Sequence, residues 1–403
     1  MRAISIKVKR LRVKNFRNYA LEDVNFIEGR NIIVGKNAQG KTNLLEAIEY
    51  AARGKSYRAS SDNELIRKNT DGFEIDVEFE DVMGEKNISV KVLKSAGQVL
   101  KSGQSALSKQ VTVNGSTYRS TRKLNGNLTS VSFKSEDLNL VRSGPKYRRD
   151  WIDSIASSLS RTFSQDLSKF NKSITQRNRL LKELCEKGGL NDSDRALMKV
   201  FNEQAALLGG KVIRVRLDVL ESLLPHAIDE LKKFSGGEEL LAVDYKLKGL
   251  EETSGDPINT LDEKGIAKAL YRLFQSRFQE EIIRKQTLAG PHRDDLSLLI
   301  NGEDSTIYAS QGQQRSLVLA LKLAELIVVQ NHIMESPILL LDDVLAELDV
   351  TRQSFLMASC DKEMQTLITT THIDSFEKKW MTDARFIEID SGKTKIEGLS
   401  TIS

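Results

Sequence analysis

Gly35-Lys36-Asn37-Ala38-Gln39-Gly40-Lys41-Thr42 occupies residues 35–42 of a 403-residue chain. Gly35, four intervening residues, Gly40, Lys41 and Thr42 satisfy every position of the G-x-x-x-x-G-K-[ST] phosphate-binding loop. The pattern has a physical basis. Glycines let the backbone curl so that successive N–H groups face inward at phosphate oxygens. In such a loop Lys41 reaches the β/γ-phosphates and the Thr42 hydroxyl ligates Mg²⁺. The flanks agree. Residues 31–34 (NIIV) are a short apolar run suited to a buried strand. Residues 42–53 (TNLLEAIEYAAR) set Leu44, Leu45, Ile48, Ala51 and Ala52 at helical spacing. Strand, loop and helix N-terminus in that order make an anion site. A chance Gly-rich turn would need neither flank.

The other half of such a site lies far downstream. Ile338-Leu339-Leu340-Leu341-Asp342-Asp343 is a buried-strand pattern ending in two acids, the Walker B arrangement. Asp342 at the strand end would hold Mg²⁺ through water, opposite Thr42. Asp343 can polarise the attacking water; it is shorter than the Glu that many P-loop proteins carry there. Ala346-Glu347-Leu348-Asp349 falls where ABC-type ATPases place the D-loop. Ser310-Gln311-Gly312-Gln313-Gln314-Arg315 opens the helix before the Walker B strand. It reads two ways: an ordinary N-cap, or a signature that caps the γ-phosphate bound to a second subunit. Phe234-Ser235-Gly236-Gly237-Glu238-Glu239 is closer in letters to an LSGGQ signature. It follows a long helix instead of preceding one, so it reads as a helix stop.

Composition bounds the rest. Hydrophobic residues make up 39% and charged residues 29%, as in a globular protein with a sizeable core and two domains or lobes. The net charge of +4 does not announce a nucleic-acid binder. Its distribution says more: Arg2, Lys7, Lys9, Arg10, Arg12, Lys14 and Arg17 fall in the first 20 residues with no acid among them. Residues 86–123 are also mostly basic, and both stretches suit a polyanion or a solvated surface. Cys185 and Cys360 have no pairing or metal-ligand spacing, which fits a reducing cytoplasm. The N-terminus lacks an apolar signal region. The most apolar long stretch, 316–330, is interrupted by Lys322 and Glu325, so no membrane span is expected.

Along the chain, residues 4–28 read as two or three strands, and 73–79 and 88–93 as two more, with a mobile loop at 95–110. From Pro145 the texture turns helical. Residues 146–186 and 193–235 predict an antiparallel pair divided at Gly188–Asp192, with Asn191 or Asp192 as N-cap. A strand near 241–245 and a helix over 262–285 follow. After Pro291 the pattern is α/β again, with Asn301-Gly302 as a hairpin turn between strands 296–300 and 305–308.

Several blocks go beyond generic ATPase motifs: LRVKNFRNY (11–19), GKNAQGKTNLLEAI (35–48), ARGKSYR (52–58), EDLNLVRSGPKYRRDWID (136–153), LAGPHRDDL (288–296), SQGQQR (310–315) and LLLDDVLAELD (339–349). Together the chain resembles the bacterial RecF family of recombination and repair proteins over nearly its whole length. The resemblance implies an α/β, P-loop ABC-type ATPase head built from both chain ends, residues 1–145 and 287–403. A mainly helical lobe at 146–286 is inserted between them. It implies a weak DNA-stimulated ATPase with ATP and Mg²⁺ as cofactors and an ATP-dependent homodimer. It also implies sequence-nonspecific binding to DNA gaps and junctions, and work with RecR and RecO in loading the recombinase. By motif, Gly35, Lys36, Asn37, Ala38, Gln39, Gly40, Lys41 and Thr42 become ATP contacts, Asp342 the Mg²⁺ residue, and Ser310 the signature serine acting across the dimer. Ser135 departs from the family, which usually has Pro in the 133–138 block, near where related ATPases put a Gln on Mg²⁺. His372 and His292 are both candidates for a switch histidine. Lys55, Arg58, Arg122, Lys123, Lys146, Arg148 and Arg149 are candidate DNA contacts of the phosphate-binding, salt-sensitive kind. Two other classes compete. A transporter-type ABC subunit would need a strict LSGGQ just before Walker B. A P-loop kinase would leave the signature and D-loop unexplained.

Overall fold

A computed structural model describes residues 5–99, 105–160, 162–188, 191–249, 257–359, 363–371, 380 and 383–397. The chain opens with β1 (Lys7–Phe16) and β2 (Tyr19–Asn25), an antiparallel pair. Val8, Leu11, Val13 and Phe16 of β1 are buried. The register against the next strand of this sheet slips between Val8 and Arg10, a bulge that breaks strict alternation. β3 (Arg30–Val34) then leads into the loop at 35–40, and the loop into α1 (Lys41–Arg53), the order expected.

β4 (Gly72–Asp81), β5 (Gly84–Val99), β6 (Ser105–Val113) and β7 (Ser116–Tyr118) complete an antiparallel sheet ordered β2-β1-β4-β5-β6-β7. Of the stretch 95–110, expected as a loop, residues 95–99 lie in β5 and 105–110 in β6, which pair antiparallel, and residues 100–104 lie outside the described residues. Among the described side chains of this stretch Ser108 and Gln110 are exposed, so burial does not select hydrophobic residues there. The basic run of residues 7–17 is also not a free polyanion face. Lys7 pairs with Glu28, Lys9 with Glu80 and Glu85, Arg10 with Asp23 and Glu78, and Arg17 with buried Glu46. Arg12 lies opposite Asp23 and Asp76, and Lys14 opposite Glu74. Most of the acids come from neighbouring strands, with Glu28 from the loop after β2 and Glu46 from α1, so pairing neutralises what the linear sequence shows as unopposed charge.

β8 (Ser130–Lys134) starts the edge of a second sheet. Its members are β12 (Ile338–Asp342), β13 (Thr366–Thr370), β3, β14 (Arg385–Asp390) and β15 (Lys393–Glu397), ordered β15-β14-β3-β13-β12-β8. All pairs are parallel except the closing β14–β15 hairpin, so the carboxyl ends of β3, β13, β12 and β8 share one edge. Ile338 to Leu341 and Leu367 and Ile368 are essentially without solvent exposure, as central parallel strands require. α1 packs into one core with the inner faces of both sheets, through Leu44, Leu45, Ile48 and Tyr50 against residues such as Phe16, Phe73 and Leu340.

The described chain divides into two compact units, residues 1–137 with 326–403 and residues 138–325. The sheets above form the first. The second holds α2 (Asn139–Arg142), α3 (Pro145–Leu159), α4 (Phe163–Lys187), α5 (Asp192–Ser235), α6 (Glu263–Ser276) and α7 (Phe278–Arg284). It also holds a small sheet ordered β11-β10-β9 from β9 (Leu241–Lys246), β10 (Asp295–Ile300) and β11 (Glu303–Asp304). These limits differ from the 145/146 and 286/287 boundaries expected. Residues 287–325 group with the helical unit because β10 pairs with β9 along its whole length and Trp151 of α3 donates to Glu325 at 2.8 Å. The first helical limb is broken at residue 160 into α3 and α4. The second is one 44-residue helix despite Pro225, started by an Asn191–Asp194 capping box and stopped at Gly236 in the left-handed conformation. The SGG sequence is thus a helix stop, as expected. Asn301 and Gly302 both have positive φ, as a type I′ turn demands, but the returning strand is only β11.

α8 (Gln311–Ile333) runs from the second unit's sequence into the first's, and α9 (Val344–Glu347) and α10 (Val350–Ala358) follow β12. By length and composition α8 could cross a bilayer, but 72% of its most apolar window is buried in the protein, as in a core helix. Lys322 and Glu325 within it pair with each other.

Candidate nucleotide site

The loop at 35–40 needs glycine at both ends for reasons of packing. A Cβ on Gly35 would stand 2.4 Å from the Ile389 carbonyl oxygen. Gly40, with φ 118°, is the N-cap of α1, and a Cβ there would lie 2.7 Å from Asn18 Nδ2 and 2.8 Å from the Tyr19 hydroxyl. Those side chains hold the loop from outside: Tyr19 donates to Gly40 O at 2.9 Å, and Asn18 to Gln39 O at 2.8 Å. Gln39 is also tied to the β14–β15 turn. Gly392 N donates to its carbonyl at 3.1 Å and Ser391 N to its side chain. Ala38 takes a left-handed φ of 65°. Lys41 is buried, and its ammonium donates to the carbonyls of Gly35 at 2.9 Å and Lys36 at 3.3 Å. A lysine folded onto its own loop is placed where a bound phosphate would offer better acceptors.

Thr42 Oγ1 donates to Asp342 Oδ1 at 2.9 Å, joining residues 300 apart in sequence. Thr369 Oγ1 donates to the same oxygen at 2.7 Å and accepts from Asp343 N at 2.9 Å. The sheet explains this convergence. β13 lies between β3 and β12, with Thr369 directly opposite Asp342. Three hard oxygens thus meet at the carboxyl ends of parallel strands, the usual ligand crevice of such sheets. Asp343 sits in a left-handed conformation, φ 53°, where the strand turns into α9. Its Oδ1 is buried and has no hydrogen-bond partner among the described residues. Burial pushes its carboxyl above the usual range. Lys41 opposes that shift, and Asp342, Glu347 and Glu136 reinforce it. Thr369 was not singled out from the sequence; the signal was a Thr pair closing an apolar strand.

In the second unit Ser310 is exposed and caps α8. Its hydroxyl accepts from Gln313 N at 3.2 Å, and the Gln313 side chain accepts from Ser310 N at 2.8 Å. That reciprocal box satisfies the N-cap expectation and leaves the serine at the surface. The D-loop residues form the end of α9 and the N-cap of α10, where Asp349 accepts from Arg352 N. The basic candidates divide. Arg148 is buried and grips Asp295 through two bonds of 2.7 and 2.9 Å, so it is a structural residue and not a DNA contact. Arg149 donates to Asp294 O at 2.7 Å. Lys55, Arg58, Lys123 and Lys146 are exposed; Arg58 also reaches Asn43 at 3.2 Å and Lys146 pairs with Asp150. His292 is packed beside Phe170, and burial lowers its pKa to about 4, so it is neutral near pH 7. His372 and the side chain of Arg122 lie outside the described residues.

Sheet order, phosphate loop and strand-end acids define a P-loop ATPase head of the ABC/SMC class. The RecF/RecN/SMC N terminal domain family matches residues 7–395. The DNA replication and repair protein RecF of Thermosynechococcus vestitus is 38% identical over 96% of both chains. That of Bacillus cereus is 36% identical over 97% of this chain and 98% of its own. The solved structure of a recombination mediator protein RecF with ATP, in the RecFOR pathway, superposes with a TM-score of 0.84 at 32% identity. It covers 98% of this chain and 99% of that one. The chain belongs to the RecF family. An Smc head bound to a ScpA winged-helix domain shares the fold alone, with a TM-score of 0.51 at 17% identity.

Proposed function

We propose that this chain is an ATP-switched DNA-repair protein. Two copies close on two nucleotides, hold DNA at gaps or single/double-strand junctions, and help load the recombinase onto single-stranded DNA. A slow, DNA-stimulated hydrolysis then releases them. RecR, acting with RecO, is the proposed partner and the cytoplasm the proposed compartment. The RecFOR setting of the solved relative supports the partner. The observation that carries the reading is the Thr42–Asp342 hydrogen bond, which brings the two nucleotide motifs together across β13.

The roles follow from chemistry. The N–H groups of residues 35–42 and the Lys41 ammonium cradle the phosphates and meet charge that develops as the γ-phosphoryl departs. The Thr42 hydroxyl and the Asp342 carboxylate are hard oxygen donors that fit Mg²⁺, an ion content with one or two protein ligands. When bound, that ion would supply positive charge against the charge of the nucleotide's phosphates. Asp343, buried with a free oxygen, is the group suited to accept a proton from the attacking water. Ser310, exposed at the start of a 23-residue helix, supplies a hydroxyl and helix N-terminal N–H groups to the nucleotide held by the second copy.

Sizing of the purified protein with ADP, ATP and a non-hydrolysable ATP analogue tests this reading. The wild type is expected to dimerise only with triphosphate. Ser310→Arg should abolish dimerisation while nucleotide binding by the monomer stays within about twofold, because this reading assigns Ser310 to the nucleotide held by the other copy. A particle that stays monomeric with every nucleotide yet consumes ATP would sink the two-copy site.

A further inference from the structure

One buried cation beside the site has no role in the account above. Lys134 ends β8, the strand next to β12, and lies directly opposite Asp342 in the parallel register. Its side chain is only 8% exposed. Its ammonium donates to Glu49 Oε2 at 2.6 Å and sits 2.9 Å from the centre of the Tyr57 ring. Glu49, with 5% exposure, also accepts from Ser132 Oγ at 3.3 Å and lies 3.8 Å from Arg53. Lys134 N donates to Asp137 Oδ2 at 2.8 Å, which fixes the strand end from which the side chain leaves.

Thr42 and Glu49 are seven residues apart on α1, two helical turns, and so share a face. α1 is therefore joined to the strand ends by two links, Thr42 to Asp342 and Glu49 to Lys134, on adjacent strands. A divalent ion entering between Thr42 and Asp342 must take the place of the first link. The second then holds the helix at the distance the ion needs. Arg53, which reaches Ser130 O at 3.3 Å, is a longer bond to the far end of the same strand.

We infer that Lys134 is a positioning residue of the metal site. Paired with Glu49 beneath Tyr57, it fixes α1 against β8 and so sets the gap between Thr42 and Asp342. Partners that orient metal ligands from behind commonly change metal affinity by about 10- to 100-fold when removed. This inference rests on the metal-dependent nucleotide site proposed above. It does not make Lys134 a ligand of the ion or of the nucleotide.

The test reads binding, not turnover. Affinity for a fluorescent ATP analogue is measured in EDTA and across a Mg²⁺ titration for the wild type, Lys134→Met, Lys134→Arg and the double variant Lys134→Met/Glu49→Gln. The double variant leaves no uncompensated buried charge, so it keeps the test open where the single variant folds poorly. Lys134→Met and the double variant should need at least about tenfold more Mg²⁺ for half-saturation, with unchanged affinity in EDTA. Lys134→Arg should stay near the wild type. An unchanged Mg²⁺ requirement in the double variant overturns the inference. A lowered requirement also overturns it, because Lys134 would then act only as a charge opposing the ion. A wild type that binds no nucleotide with or without Mg²⁺ would instead bring down the nucleotide site itself.

Discussion

His292 and Asp294, two residues apart in the AGPHRDD segment, should pull acid stability in opposite directions. Burial lowers the His292 imidazole from 6.5 to about 4, the Thr287 carbonyl opposing and Arg293, Arg149 and Arg177 adding to the shift. Burial raises the Asp294 carboxyl from 3.8 to about 6, against Arg216 and the hydrogen bond from Tyr245. The signs follow from which state binds the proton more tightly. For His292 it is the unfolded chain, so stability is lost as pH falls from 6.5 toward 4. For Asp294 it is the folded chain, so stability is lost as pH rises from 3.8 toward 6. Between pH 6.5 and 4.5 each contribution amounts to about 2 kcal/mol, and the two nearly cancel. Asp294→Asn removes one side of the balance. On passing from pH 6.5 to 4.5 it should lose about 2 kcal/mol more than the wild type does, and His292→Gln about 2 kcal/mol less. Urea unfolding at five pH values, followed by tryptophan fluorescence, reads this directly, since Trp151 lies in the same unit. Parallel pH profiles for Asp294→Asn and the wild type would refute the reasoning. They would mean that Arg216, through Tyr245, keeps the buried carboxylate ionised at no cost.

Two further outcomes follow from burial and close approach. Gly40→Ala places a methyl group within 2.8 Å of Asn18 and Tyr19 at φ 118°, so it should abolish binding of a fluorescent ATP analogue while the melting temperature falls only modestly. Arg177 is fully buried. It reaches Glu281 at 2.5 Å, Asn202 and Thr287 at 2.8 Å, and lies 4.6 Å from the Phe274 ring centre. Arg177→Met should cost about 3–5 kcal/mol by leaving Glu281 uncompensated, and Arg177→Met/Glu281→Leu should recover most of that in chemical denaturation.

What could be read from the chain before its structure depended on how local the cause was. The phosphate loop, the apolar β12 run, the Asn301-Gly302 turn and the start of α5 at Asn191 each show in letters within a few residues, although Gly35 and Gly40 also answer to distant Ile389, Asn18 and Tyr19. A φ of 118° or a capping box acts on its own neighbours, so the letters carry it. The pairing of Thr42 with Asp342 is not local, yet two strong local motifs implied it, because P-loop sheets bring those strand ends together. The failures lie where a partner is distant and no motif names it. Seven basic residues near the N-terminus read as suited to a polyanion or as a solvated surface; the acids that answer most of them come mainly from β2 and β4. Arg148 read as a candidate DNA contact in a run of three cations, yet it is buried and held by Asp295, 147 positions away. Lys134 carried no signal, since a lysine after an apolar strand is ordinarily a solvated end. Only the register that sets it beside Asp342, with Glu49 on the helix above, turns it into part of the site. Chemistry concentrated in one motif is legible one residue at a time. Chemistry that works by holding a motif in place is written in pairs, and the pairs appear only when the sheet is assembled.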